Sequence, residues 1–368
     1  MTEAVIPITV ITGFLGSGKT SVLNRLLRQP ELAGAVVIVN EFGEVGLDHL
    51  LIEASEEQFA LLDNGCICCT VRDDLIATLK DIHGRSAAGC VPPIQRVLIE
   101  TTGLADPAPI LHTLLVEPEL SKLYRVGGVV ATVDAVNGLA TLDRHAEAVK
   151  QVAVADRLLV TKTDIAIAQA VERLERRLAE LAPTAERVAV SHGEVEASDI
   201  LDIVFFDAAA TPAEIADWID VAVSVTSLSH HQHGHACGPE CRHGHEHEHE
   251  SHRHHGIQSH SFVIDEPVEW TAFTRWLDYL AALKGEDMLR LKGLVQVSDD
   301  PGRPFVLHGV QHVFHPPARL EAWPSDDRRT RLVFIVRDIP RQTIERTLAR
   351  FAHIDAGRIQ RPVERIVA

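Results

Sequence analysis

One stretch constrains this chain more than any other: Val10-Ile11-Thr12-Gly13-Phe14-Leu15-Gly16-Ser17-Gly18-Lys19-Thr20. Gly13 to Thr20 satisfies G-x-x-x-x-G-K-[ST] in full, and the flanks supply the strand and helix that this motif requires. Upstream, Ile6 to Ile11 is short, β-branched and mostly apolar, as a buried parallel strand is. Downstream, Val22, Leu23, Leu26 and Leu27 share one helical face. Glycines at 13, 16 and 18 let the backbone curl so that its N–H groups converge on phosphate oxygens. The dipole of the following helix favours the same anion. Ser17 and Ser21 lie within reach of the phosphates, Lys19 of the β- and γ-phosphates, and the Thr20 hydroxyl of a magnesium position. A plain glycine turn between strand and helix would not require Lys-Thr at its end.

The chain around this motif has 368 residues, enough for two domains with separate cores, and 46% apolar residues, which supports folded structure. A net charge of −17 argues against nucleic acid or an anionic membrane as partner. No run approaches the roughly 18 apolar residues of a membrane span, and the N-terminus has no signal-peptide pattern. A cytoplasmic protein is the expectation, and there disulfides are rare. The six cysteines therefore point to metal or catalysis, except Cys90, which stands alone and reads as a small buried or half-buried residue.

Beyond the first helix, Ala35 to Asn40 is a second apolar strand, ending in a loop with Glu41, Glu44 and Asp48. In a phosphate-binding α/β domain such a loop lies beside the ligand, so residues 40–48 read as a switch near the γ-phosphate; the alternative is a solvated acidic turn. Cys66, Cys68 and Cys69 then fall within four residues, too dense for packing and suited as thiolates to zinc or a similar ion. Such a short segment does not fill a tetrahedral site, so a further ligand is needed: a carboxylate such as Glu41, a histidine, water or a partner. Two rival readings are a structural zinc site, which lacks a second ligand pair nearby, and a redox pair Cys66/Cys69, which lacks the thioredoxin context. Arg96 to Glu100 is the next strand, followed by Thr101-Thr102-Gly103. Glu100 stands where a carboxylate would hold magnesium through water, and the Gly103 N–H where it would meet the terminal phosphate.

Strands are expected at Gly127–Asp134 and Arg157–Asp164, the second ending in Thr161-Lys162-Thr163-Asp164. Asp164 in this T-K-x-D can accept from N1 and N2 of guanine, and Lys162 can lie over the base; Thr161 stands where asparagine is usual. An amphipathic helix over 168–181 and a strand over 187–191 complete the sheet, with His192 a candidate neighbour of the base. Residues 230–255 hold eleven of the twenty-one histidines, plus Cys237 and Cys241, and have no apolar residues with which to build a core. They read as a flexible metal-binding linker or a solvated spacer. Beyond, strands at 259–264, 289–297, 304–310 and 331–336 with helices at 270–283 and 341–351 predict a small α+β domain; His308, His312 and His315 within it read as structural or exposed. The fold expected is α/β: a P-loop domain with a mostly parallel sheet flanked by helices (1–227), a His-rich linker (228–257) and a small α+β domain (258–368).

The order P-loop, Cys-x-Cys-Cys, E-T-T-G, T-K-x-D resembles the CobW-type GTPases, relatives of the urease- and hydrogenase-accessory GTPases that deliver nickel. The resemblance extends over nearly the whole chain and implies a GTP-hydrolysing metallochaperone that hands zinc, or cobalt in some members, to a client metalloprotein. By position it implies that Gly13, Gly16, Ser17, Gly18, Lys19, Thr20 and Ser21 bind phosphates and magnesium. Glu100 and Gly103 then serve the second switch, and Thr161, Lys162 and Asp164 read guanine. Cys66, Cys68, Cys69 and Glu41 ligate the cargo ion, and Glu41, Asp48 and Arg72 are candidates to orient the hydrolytic water. GTP, magnesium and zinc are the expected ligands, with cobalt the alternative cargo, and a homodimer is compatible with this reading. Two other classes compete: a small-molecule P-loop kinase, which leaves the three cysteines unexplained, and a metal buffer centred on the histidine tract.

Overall fold

The computed structural model describes residues 5–40, 59–61, 70–201, 203, 256–354 and 358–360. The first unit runs β1 (Ile6–Gly13), α1 (Lys19–Leu26), β2 (Ala35–Asn40), β3 (Phe59–Leu61), α2 (Thr70–Ala87), β4 (Arg96–Thr101), α3 (Ala108–Val116) and α4 (Leu120–Leu123). It continues with β5 (Tyr124–Asp134), α5 (Gly138–Arg144), α6 (Ala146–Val154), β6 (Arg157–Thr161), α7 (Ala168–Leu181), β7 (Glu186–Ala189) and α8 (Ser198–Leu201). The strands form one parallel sheet in the order β3-β2-β4-β1-β5-β6-β7. Strand β1 is central because its Ile8, Val10 and Ile11 are apolar toward both faces, where helices cover them. From β1 the chain first goes out to β2 and β3, returns to β4, and then crosses to β5 on the other side. The connections on the two sides of β1 diverge and leave a crevice at its C-terminal end, which is where the glycine-rich loop begins. The helix expected over 168–181 is α7, with Leu174, Leu178 and Leu181 buried at helical spacing.

The second unit is an antiparallel sheet of β8 (Ile257–Ile264), β9 (Met288–Val295), β10 (Phe305–Val310), β11 (Val313–Phe314), β12 (Ala318–Arg319), β13 (Thr330–Arg337) and β14 (Ile359–Gln360), with helices α9 (Trp270–Lys284) and α10 (Arg341–Phe351). The order is β11-β10-β9-β13-β8-β14, with β12 also on β10. One face packs Leu291, Leu332 and Phe334 against Phe273, Trp276, Ile344 and Leu348 of α9 and α10. The other face meets the first unit: Ile257, Leu289 and Ile335 share a core with Val149, Val152 and Leu178 of α6 and α7. This confirms the α/β and α+β expectation for the two sheets. Cys90 is a correction: it is exposed, because it follows the end of α2 in a surface turn rather than an apolar face.

A cluster of ionisable groups seals the junction. Strand alternation puts Arg290 and Lys292 on the same face of β9, and both reach Asp156 at the foot of β6, where all three are buried. Asp156 also accepts from the Val129 N–H at 3.0 Å. Burial opposes its charge, yet the Arg290 and Lys292 cations outweigh it and keep its pKa below the usual carboxylate range. Burial and the neighbouring guanidinium push the Lys292 ammonium down to about 7. Arg290 further donates to Nε2 of His308 at 3.1 Å, and the His315 ring lies 4.9 Å from that of His308. Burial drives His308 well below its ordinary value and His315 to about 4. Both imidazoles are thus neutral at pH 7, which lets them sit beside two cations and one carboxylate. The expectation that these histidines are structural holds.

Two outcomes follow from this junction. Asp156→Ala leaves the buried Arg290 guanidinium uncompensated and removes the carboxylate that supports the Lys292 charge, and should cost about 3–5 kcal/mol in denaturant unfolding. The His315 pKa of about 4 lies below the 6.5 of the unfolded chain, so between those values the unfolded state binds the extra proton. Stability is therefore fully present above pH 6.5 and falls as the solution is acidified toward pH 4. His315→Gln should flatten this part of the melting-temperature profile relative to the parent, where a parallel profile would contradict it.

Candidate nucleotide site and the residues that hold it

The loop between β1 and α1 is shaped by its glycines as the sequence requires. Gly13, at φ +141°, lies so close to β5 that a Cβ would fall 2.3 Å from Thr132 Oγ1. Gly18, at φ +96°, occupies the N-cap of α1 in the left-handed region. Side chains from neighbouring strands then fix the curl. The Ser17 hydroxyl lies 2.6 Å from that of Thr132, and Thr161 Oγ1 donates to the Ser17 carbonyl at 2.7 Å. Lys162 Nζ donates to the Gly16 carbonyl at 2.8 Å and pairs with Asp134 at 2.8 Å. Burial would raise the Asp134 pKa; Lys162, Asn137 and two backbone N–H groups outweigh it and hold the carboxyl below its usual range.

A cleft of about 420 Å³ opens over this loop, lined by Gly16, Gly18, Lys19, Thr20, Ser21, Glu100, Gly103 and Lys162 among others. Lys19 Nζ donates to the carbonyls of Gly13 at 2.7 Å and Phe14 at 3.3 Å, folded back along its own loop. Thr20 Oγ1 donates to Glu100 Oε1 at 3.3 Å, so a hydroxyl and a buried carboxylate converge at the phosphate end. Hard oxygen donors in that pairing fit magnesium, which the Thr20 hydroxyl and the Glu100 carboxylate would hold. Gly103 packs against the loop, where a Cβ would lie 2.7 Å from the Leu15 nitrogen. The turn that follows β4 thereby sits directly on the phosphate-binding loop.

At the far end, Asp164 Oδ1 accepts from the His192 N–H at 3.1 Å, and its Oδ2 lies 3.3 Å from His192 Nδ1. The backbone N–H of His192 is the main reason its pKa lies below the ordinary value. His192, read from the sequence as a neighbour of the base, is thus hydrogen-bonded to Asp164. The Thr161 side chain is buried and bonded to the Ser17 and Val133 carbonyls, so it braces the phosphate loop. Its hydroxyl is spent on the carbonyls that a parallel neighbour strand brings within reach. Glu41, Asp48, Cys66, Cys68, Cys69 and the histidine tract of 230–255 lie outside the described residues, as does the Arg72 side chain. Among the described residues no group of three or more His, Cys, Asp or Glu is placed to hold a metal ion.

Two contributors were not marked by any motif: Thr132 and Asp134. They end a strand that the sequence does reveal, and polar residues closing an otherwise apolar strand were the available signal.

A parallel sheet with this glycine loop at its switch point and a Thr-Glu pair beside it defines a P-loop nucleotide-binding protein. The comparisons with known proteins narrow this. Residues 7–189 match the CobW/HypB/UreG nucleotide-binding domain, and residues 257–352 the cobalamin synthesis protein cobW C-terminal domain. The chain is similar to the zinc chaperone YjiA of Escherichia coli strain K12, with 31% identity over 94% of this chain and 98% of that protein. It is similar to the zinc chaperone CobW of Sinorhizobium sp, with 30% identity over 90% and 92%. The crystal structure of Zn(II)-bound YjiA GTPase from E. coli superposes with a TM-score of 0.69 at 25% identity, covering 95% of this chain and 99% of that one. This chain belongs to the CobW/HypB/UreG family of P-loop proteins and carries the CobW C-terminal domain.

Thr161→Val should weaken both GDP and GTP binding several-fold while leaving the choice of guanine over adenine intact. Asp164→Ala should instead cut that preference by roughly 10²-fold or more, because two base N–H donors lose a charged acceptor. Competition between guanine and adenine nucleotides in a fluorescence titration separates the two; equal behaviour of the variants would refute the division of labour.

Proposed function

We propose that this chain is a GTP-hydrolysing metallochaperone which binds a transition metal, zinc in the first place, and releases it to a client protein according to the nucleotide state. The observation that carries this reading is the register of three strands. Asn40 at the end of β2 pairs with Thr101 at the end of β4, and Val39 pairs with Leu61 at the end of β3. All three strands are parallel and end on the side of the sheet from which the glycine loop leaves β1, and Glu41, Cys66 and Gly103 follow those ends closely in sequence, which supports a metal set near the phosphate cleft. The names of the relatives, two zinc chaperones and the zinc-regulated GTPase metalloprotein activator 1 of Schizosaccharomyces pombe, support zinc as cargo.

In this reading Gly13, Gly16, Ser17, Gly18, Lys19, Thr20 and Ser21 hold the phosphates, Lys162 and Asp164 take the base, and Thr161 acts through the loop. Thr20 and Glu100 hold magnesium, which supplies charge neutralisation between the β- and γ-phosphates when bound. Lys19 exchanges its loop carbonyls for phosphate oxygens, so its charge is brought to bear only on an occupied site. Water attacks the γ-phosphorus in line with the leaving β-phosphate oxygen, with Asp48 first among the groups to orient it. Cys66, Cys68 and Cys69 hold the cargo with Glu41 as an oxygen ligand, and loss of the γ-phosphate relaxes residues 40–48 and 100–106 and loosens that set. Inverting metal occupancy from 1:99 to 99:1 takes a ~10⁴-fold change in affinity, about 5.5 kcal/mol.

The chain divides at 1–227, 228–257 and 258–368, and works in the cytoplasm. Cobalt is the alternative cargo, as for a chaperone linked to cobalamin synthesis. A homodimer fits the exposure of Leu15 and Leu104 at the rim of the cleft, 60% and 53%. The charge of −17 supports a protein partner over nucleic acid or membrane, and among the described residues no helix is long and apolar enough to cross a membrane.

Competition titrations with a zinc-binding dye should give far tighter metal binding with a nonhydrolysable GTP analogue than with GDP; equal affinities would rule out the coupling. Cys66→Ser should abolish tight zinc while sparing nucleotide binding, whereas loss of GTP binding would make the cysteines structural. Deleting 230–255 should leave that tight site intact, and loss of nearly all metal capacity would favour a histidine-rich buffer.

A further inference from the structure

The turn after β4 is not left to the nucleotide alone. Thr102 to Ala105 closes through an Ala105 N–H bond to the Thr102 carbonyl at 3.1 Å, and Gly103 within it rests on the phosphate loop. From below, Gln151 of α6 reaches this turn with its side-chain amide. Its Nε2 donates to the Gly103 carbonyl at 3.2 Å and to the Ala105 carbonyl at 3.0 Å. Gln151 is 1% exposed, and its Oε1 has no hydrogen-bond partner among the described residues, so the amide is anchored through its nitrogen. The residue before it adds a second tether: Lys150 Nζ lies 3.0 Å from Oδ2 of Asp106, whose Oδ1 accepts from the Ala108 N–H at the start of α3. The same Oδ2 is 3.5 Å from Gln311 Nε2, on the turn between β10 and β11.

The geometry assigns to Gln151 the role of a positioning residue for the GTPase reaction: it holds the Gly103 turn at the height where the Gly103 N–H can meet a γ-phosphate. This deepens the reading above and rests on it. The physical reason is directional. A buried glutamine uses both N–H bonds of one planar group on two carbonyls of one turn, which fixes the turn's rotation as well as its position. A backbone N–H must point within a narrow cone of its acceptor to bond well. Only the triphosphate carries the oxygen that this N–H would meet. Disturbing the turn therefore weakens GTP and leaves GDP alone, a discrimination that a purely structural glutamine would not produce. The chain leaving α6 reaches Asp156 two residues on, and Val149 and Val152 of α6 pack in the core shared with the second sheet, so the helix that sets the turn also abuts the C-terminal domain.

The test uses the full-length, metal-free protein with magnesium and fluorescent nucleotides. Gln151→Glu keeps the shape and replaces the donating nitrogen with an acceptor; Gln151→Met removes the polar group. Affinity for a nonhydrolysable GTP analogue should fall about tenfold in either variant, with GDP affinity unchanged within twofold. Turnover kcat should fall while the guanine preference stays. Should either variant fail to fold, by its circular dichroism and melting profile, Lys150→Met at the partly exposed neighbouring tether is read the same way. Equal losses for GTP and GDP, or no loss for either, would overturn the assignment. If the unaltered protein showed no magnesium-dependent guanine binding, the proposed function itself would fail, and that outcome is visible before any variant is made.

Discussion

The structure depends on the curvature of one loop, held from both sides by strands that belong to a single parallel sheet. Strand β1 lies between β4 and β5, and the loop leaving it is braced by Thr132 of β5, Thr161 of β6 and Lys162 just beyond. Thr161 and Lys162 spend a hydroxyl and an ammonium on the Ser17 and Gly16 carbonyls, and Thr132 holds the Ser17 hydroxyl, so the curl of the loop is set by its neighbours. A phosphate site built this way is preorganised by the scaffold, and its anion affinity does not have to cover the cost of ordering the loop.

The second constraint is electrostatic and lies between the two sheets. One carboxylate, two cations and two neutral imidazoles are buried together where β9 and β10 meet the foot of β6. Such a cluster adds little net stability against an apolar equivalent, but it tolerates few arrangements, since any shift leaves a buried charge without its partner. It fixes the C-terminal sheet against α6 and α7. The helix that presents Lys150 and Gln151 to the Gly103 turn from its middle is therefore held by the second domain just past its C-terminal end, at Asp156.

Much of the architecture was readable from the residue order. Central strands such as β5 are apolar on both faces, so their runs stand out without any partner in view; α7 and α10 show their apolar faces at helical spacing, and both were placed at their observed limits. Short edge pieces such as β11, β12 and β14 were not readable, because two-residue strands have no period and exist only where a neighbour offers free carbonyls. Cys90 shows the same limit from the other side. Residue type suggested burial, and the turn after α2 put it at the surface.

What the sequence determined by itself is the chemistry that needs fixed spacing along the chain: the glycine loop with Lys19 and Thr20, the acid at the end of β4, and the T-K-x-D after β6. These are local because a strand, a turn and a helix N-terminus are local. What only the tertiary structure decided is which side chains from distant strands and helices meet that loop. Thr161 turned inward to the Ser17 carbonyl, Asp134 paired with Lys162, and Gln151 came under the Gly103 turn, at separations of 144, 28 and 48 residues. No pattern in the order of residues encodes such contacts, since they arise when the sheet sets its strand order and the helices settle on its faces.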